Sequence, residues 1–190
     1  MSPSTQFSHS RRGNTALTAL FTVLGSETIF FGTLLAAYFY MRVSLTSWQM
    51  TGAPFARLAL PTANTFLLLI SAGTMTLALQ AIRNNDLAGL RRWLSLSLVL
   101  GLFFVAGQVF EFNHSGMRVN DQAFGGVFFT LIGFHALHVL AGVIMLAIVL
   151  WRAFLGDFSS RRLVAVQAST WFWYFVTGVW VILFAALYLV

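Results

Sequence analysis

The sequence predicts an all-α polytopic membrane protein with five transmembrane helices, and three observations predict it. Hydrophobic residues make up 58% of the 190-residue chain and charged residues only 8%, where a soluble domain carries about 25% charged residues. The apolar residues fall into five runs, at about 15–41, 58–82, 91–112, 124–151 and 163–190, each longer than the roughly 20 residues needed to cross about 30 Å of hydrocarbon. No run alternates in the manner of a barrel strand, and lipid offers no partner to unpaired backbone groups, so the runs are helices. The chain reads as a single membrane domain over 1–190.

The first run, 15–41, follows Arg11-Arg12 in the manner of a secretory signal. It is too long for a signal core, contains Glu27 and lacks a clear cleavage site, so it reads as a retained helix. Loop 43–57, with Trp48 and Pro54, is the longest connection. Arg83-Asn84-Asn85-Asp86 separates the second and third runs, Asn113 to Gln122 the third and fourth, and Arg152 to Arg162 the last two. Pro61 is the one proline within a span and sits near a helix start. No short-period repeat is evident, and neither are the inverted repeats and broken helix pairs of secondary transporters.

All eleven basic residues are arginine, and the net charge is +6. They cluster at segment ends, where they anchor to phosphates and set topology, so no nucleic-acid partner is expected. Arg11, Arg12, Arg83, Arg91, Arg92, Arg152, Arg161 and Arg162 would lie on one side and Arg42, Arg57 and Arg118 on the other. That asymmetry predicts the N-terminus inside and the C-terminus outside. The absence of cysteine excludes disulfides, thiolate metal sites and thiol nucleophiles.

A carboxylate at mid-span costs roughly 2.5–3.5 kcal/mol on insertion scales, which makes Glu27 a candidate functional residue. From the inner helix ends, Glu27 lies roughly 18 Å deep and His138 roughly 20 Å deep at 1.5 Å per residue. Tyr174 and Thr177 fall at the same height, so a carboxyl, an imidazole and two hydroxyls can satisfy one another if their faces converge. Glu27 reads as a paired acid with a structural or gating role, or as a proton carrier. His135 and His138, spaced i,i+3, read as packed and hydrogen-bonded histidines, with a proton relay or a metal pair as alternatives. Two imidazoles and a distant carboxylate do not define a metal site, and none is assigned. Glu111 and His114 share the i,i+3 spacing near the outer end of the third helix, with Gln108 one turn deeper, and read as an interfacial polar pair. The run Trp171-Phe172-Trp173-Tyr174-Phe175 reads as helix packing and lipid contact rather than a cofactor stack.

These landmarks resemble subunit III of the haem–copper (cytochrome c) oxidases, in its short five-helix bacterial form. Ser26-Glu27-Thr28-Ile29-Phe30-Phe31 is similar to the family's S-E-x-x-F-F element. Gly133-Phe134-His135-Ala136-Leu137-His138-Val139 followed by Gly142 is similar to G-F-H-x-L-H-V-x-x-G. The stretch Trp171 to Trp180 resembles its aromatic W-Y-W-H-F-V-D-x-V-W close, and Gln108 with Glu111 fits its Q-x-x-E. Three positions depart from the pattern: Tyr174 stands for a usual His, Thr177 for a usual Asp, and Gln167 for an acid.

The resemblance implies a non-catalytic subunit of the inner membrane, packed beside catalytic subunit I together with subunit II and other membrane subunits. It implies no cofactor in this chain, haem and copper in the partners, and oxygen reduction coupled to proton pumping by the complex. Bound phospholipids are implied too, with Arg152 at a headgroup and a V-shaped cleft between helices 1–2 and 3–5. The charge lost from the last helix leaves room for a relative that accompanies a nitric oxide reductase. An independent transporter or metal protein using Glu27, His135 and His138 is the reading from another class.

Overall fold

The computed structural model describes residues 3–44, 54–114 and 122–189. Trp48 and Arg118 lie outside them. Five helices follow one another: α1 (Pro3–Ser44), α2 (Pro54–Arg83), α3 (Leu87–His114), α4 (Gln122–Phe154) and α5 (Val164–Phe184), the last widening into a π-turn over Ala185–Leu189. Within them Thr15–Ser44, Leu58–Arg83, Leu87–Glu111, Gly126–Phe154 and Val164–Leu189 are long and apolar enough to cross a bilayer. The chain is a multi-pass, all-helical membrane protein.

The turns explain where the helices stop. α2 ends with Asn85 in the left-handed region at φ 58°. The Asp86 N–H reaches Ala81 O at 2.9 Å and the Asn85 N–H reaches Ile82 O at 3.0 Å, the paired closure that satisfies the last carbonyls. α4 ends in the same way around Gly156, at φ 78°, with Asp157 N on Arg152 O and Gly156 N on Ala153 O. Asp86 then caps α3 by accepting the Gly89 N–H at 2.8 Å, which starts that helix ahead of the apolar run at residue 91. The Asn85 side-chain Oδ1 accepts the Ser160 N–H at 2.9 Å, so the two turns brace each other.

The core lies among α2, α3, α4 and α5. Trp173 of α5 is fully buried and passes between two glycines. A Cβ on Gly101 of α3 would lie 2.8 Å from the indole, and a Cβ on Gly142 of α4 would also lie 2.8 Å from it. Its N–H donates to Ser71 Oγ of α2 at 3.1 Å. Ser71 in turn donates to Ser97 O of α3 at 3.0 Å, and Thr74 Oγ1 lies 2.6 Å from Ser97 Oγ. One side chain therefore touches three other helices, and small residues make room for it, as membrane helix packing requires. Two turns on, Trp180 repeats the arrangement, donating to Thr65 Oγ1 of α2 at 2.9 Å with its ring edge-on to Phe104 at 5.0 Å.

α1 is attached from outside this core. Among its described side chains only Leu24, Phe31 and Tyr38, at i,i+7 spacing, are buried, and its main neighbours are α4 and α5. The exposed hydroxyls of Thr22 and Thr33 bond back to carbonyls of their own helix, which satisfies them where lipid cannot. The expected division into helices 1–2 against 3–5 is corrected here. α2 packs most extensively on α3 and also on α5, while α1 has no comparable contact with α2. The reason is visible in the side chains: Ser71, Thr74 and Thr65 turn α2 towards the core and hold it there.

Gly142→Val should lower the unfolding free energy by about 1–3 kcal/mol through overpacking against Trp173, measured by reversible unfolding in detergent micelles. Gly133→Val on the same helix, where an added Cβ meets nothing within 4 Å, should stay within about 0.5 kcal/mol. Equal losses would show that Trp173 does not fill the gap.

Candidate functional site

Glu27 and His138 meet between α1 and α4. Glu27 Oε2 lies 3.0 Å from His138 Nε2, and His138 Nδ1 lies 2.7 Å from Phe134 O of its own helix. Both ring nitrogens are thus engaged, the arrangement that fixes a histidine's orientation and tautomer. Phe31, one turn along α1 from Glu27, packs edge-on to the His138 ring at 5.1 Å, and Phe30 does the same to Phe134 at 5.0 Å. The carboxylate and imidazole so lie among aromatic rings, with 30% and 19% of their side chains exposed. The pair sits at the rim of the bundle rather than in its core. Chemically it can share or pass one proton, and it can present a polar edge to whatever covers that rim.

The rest of the expected layer does not close around it. Tyr174 turns to α2, where its hydroxyl lies 2.6 Å from Thr76 Oγ1. Thr177 is buried and donates to Trp173 O of its own helix at 2.8 Å. α5 also meets α1 on the side of Tyr174, where Trp171 packs against Phe21 at 5.6 Å and against Tyr174 at 6.0 Å.

His135 differs from the expectation of a hydrogen-bonded pair. It is fully buried, and its ring is stacked on Trp180 at 5.1 Å with an interplanar angle of 28°. Edge contacts to Phe104 at 6.1 Å and Phe31 at 6.5 Å complete the enclosure. Neither ring nitrogen has a hydrogen-bond partner among the described residues, so His135 is held by ring packing.

Glu111 has two partners among the described residues. Its Oε1 accepts the Tyr188 hydroxyl at 2.7 Å, and Oε2 accepts from buried Gln108 at 3.4 Å. The side chain of His114 lies outside the described residues. Tyr188 belongs to the π-turn, and Tyr38 of α1 donates to Ala186 O in the same turn at 3.0 Å, so two tyrosines pin the end of α5. Neither tyrosine announced itself in sequence; a tyrosine near a span end is ordinarily an interface anchor. Arg152 donates through Nε to Asp157 Oδ2 at 3.1 Å and lies 5.2 Å over the Phe158 ring, with both charged groups substantially exposed. No group of three or more metal-binding side chains is gathered among the described residues.

His138→Leu should loosen α1 on α4, and a double-mutant cycle with Glu27→Gln should give a coupling of about 0.5–2 kcal/mol. Zero coupling in reversible unfolding would show that the two groups do not stabilise each other.

The match to known proteins covers nearly the whole chain. Residues 7–190 match the family model described as cytochrome c oxidase subunit III. A cytochrome c oxidase subunit 3 from Synechocystis sp. is 37% identical over 168 residues, covering 88% of this chain and 72% of that protein. One from Thermostichus vulcanus is 33% identical over 90% of this chain and 85% of its own length, and one from Corynebacterium diphtheriae is 33% identical over 94% and 90%. The paired Glu27 and His138, the double-histidine helix and the aromatic last helix lie inside these matches, and the chain belongs to the cytochrome c oxidase subunit III family.

Proposed function

We propose that the chain serves as the non-catalytic third subunit of a respiratory haem–copper oxidase in a bacterial inner membrane. The observation that carries this is the family match over residues 7–190, together with relatives named as cytochrome c oxidase subunit 3. In this reading the haems and copper belong to catalytic subunit I and subunit II, and the reaction of the complex is reduction of oxygen to water coupled to proton pumping. This chain holds no cofactor and stabilises the catalytic subunit. His138, one of the two imidazoles weighed as a metal ligand, is committed to Glu27 and Phe134.

Within that role, Glu27 with His138 is the functional pair, and its position at the bundle rim suits an influence on a neighbouring subunit's proton uptake. Arg152 faces a lipid headgroup on the side rich in arginine, with the N-terminus inside and the C-terminus outside. Phospholipids fill the apolar perimeter. The relatives' names favour an oxygen-reducing complex over a nitric oxide reductase.

Affinity purification of the native complex through this chain tests the reading. Haem and copper should co-purify in fixed ratio with oxygen consumption. Recovery of the chain alone, or with a copper-free complex that consumes nitric oxide, would contradict it. Glu27→Gln should leave that complex assembled and change its proton-coupled turnover. Unchanged turnover over a wide pH range would remove the functional role from Glu27.

A further inference from the structure

Two buried side chains in the half of the bundle towards the C-terminal end of α5 carry polar atoms that no protein group answers. His135 has neither Nδ1 nor Nε2 hydrogen-bonded among the described residues, and Asn64, 2% exposed, leaves Nδ2 in the same condition. A neutral imidazole always has one N–H donor and one acceptor nitrogen, whichever tautomer it adopts. Leaving such groups unanswered is costly, because each has given up its hydrogen bonds to water on burial. A phenyl ring would make the same stack on Trp180.

The two side chains border one layer of the core. Trp180, stacked on His135, donates its N–H to Thr65, the residue after Asn64 in α2. Phe104, edge-on to His135, is one turn from Gly107, and the Asn64 amide presses so closely on Gly107 that a Cβ there would collide with it. Helices α2, α3, α4 and α5 each contribute to this layer. Trp180 stacks on the imidazole, while its nitrogens lie in the ring plane, the direction in which their hydrogen bonds are made. Lipid cannot supply one, because His135 is fully buried.

We propose that ordered waters are bound in this layer, one donating to the acceptor nitrogen of His135, one accepting from its N–H, and one accepting from the Asn64 amide. The site is polar on several sides, as a buried water requires. It lies one helical turn from His138 but is separate from the Glu27–His138 pair, and it stands on the packing of α2–α5 alone, independent of the oxidase reading.

A high-resolution cryo-electron microscopy map of the native complex tests this without any substitution. Density is expected within about 3 Å of a His135 ring nitrogen and of Asn64 Nδ2. An empty layer in a map that shows other internal waters would overturn the proposal, and so would a partner side chain in that position. X-ray radiolysis supplies an independent reading, because water held in a core labels the side chains around it. Phe104 and Trp180 should be modified despite their burial, and the modification should be lost in His135→Phe, which keeps the stack but gives water nothing to bind. Equal modification in the two proteins would overturn it.

Discussion

The fit of one indole ring between two glycines organises this protein. Trp173 reaches from α5 into the gap made by Gly101 and Gly142 and closes it with a hydrogen bond to Ser71. In a bilayer the hydrophobic effect gives helices little reason to associate, since lipid tails are as apolar as leucine. Close packing and interhelical hydrogen bonds must do it instead. The clasp provides both at one point and for four helices. The hydroxyl chain from Ser71 to Ser97 and Thr74 extends the polar contact between α2 and α3 without exposing any of it to lipid. Trp180 and Thr65 make the second such tie on the same face of α5.

With four helices joined in this way, α1 is free to be different. Among the described residues its buried contact is a narrow stripe, Leu24, Phe31 and Tyr38, and its polar links to the bundle include Tyr38 on Ala186 O and Glu27 on His138. A carboxylate there is tolerable because an imidazole answers it, and the imidazole is oriented because the Phe134 carbonyl answers its other nitrogen. Two of the polar arrangements in this chain therefore differ in setting: inside α2–α5 they hold helices together, and at the α1–α4 contact a carboxylate and an imidazole answer each other.

Much of this was legible in the residues. The five spans followed from charge scarcity and run length, and the turns at Asn85 and Gly156 from polar loop composition. Glu27 and His138 were brought to one height by counting 1.5 Å per residue. Height was also where that reasoning stopped. Residue rise places a side chain along the helix axis, but only the neighbouring helices decide the azimuth at which it is met. Tyr174 was therefore assigned to the layer of Glu27, although α5 turns it to Thr76. The same helices are apolar on every face, so no stripe distinguishes a core side from a lipid side. For that reason Gly101 was not singled out, Gly142 entered only as the end of the double-histidine motif, and Trp173 read as one of five adjoining aromatics. Tyr188 and Tyr38 were missed because their partners, Glu111 and the π-turn carbonyl of Ala186, come from distant segments.

The claim that one buried indole ties α2, α3, α4 and α5 together is most directly tested by comparing two tryptophans two residues apart. Trp173 is fully buried, whereas Trp171 is 42% exposed. Reversible unfolding in detergent micelles should show Trp173→Ala losing about 3–5 kcal/mol, with a far smaller loss for Trp171→Ala. Equal losses, or a larger one at Trp171, would contradict the account.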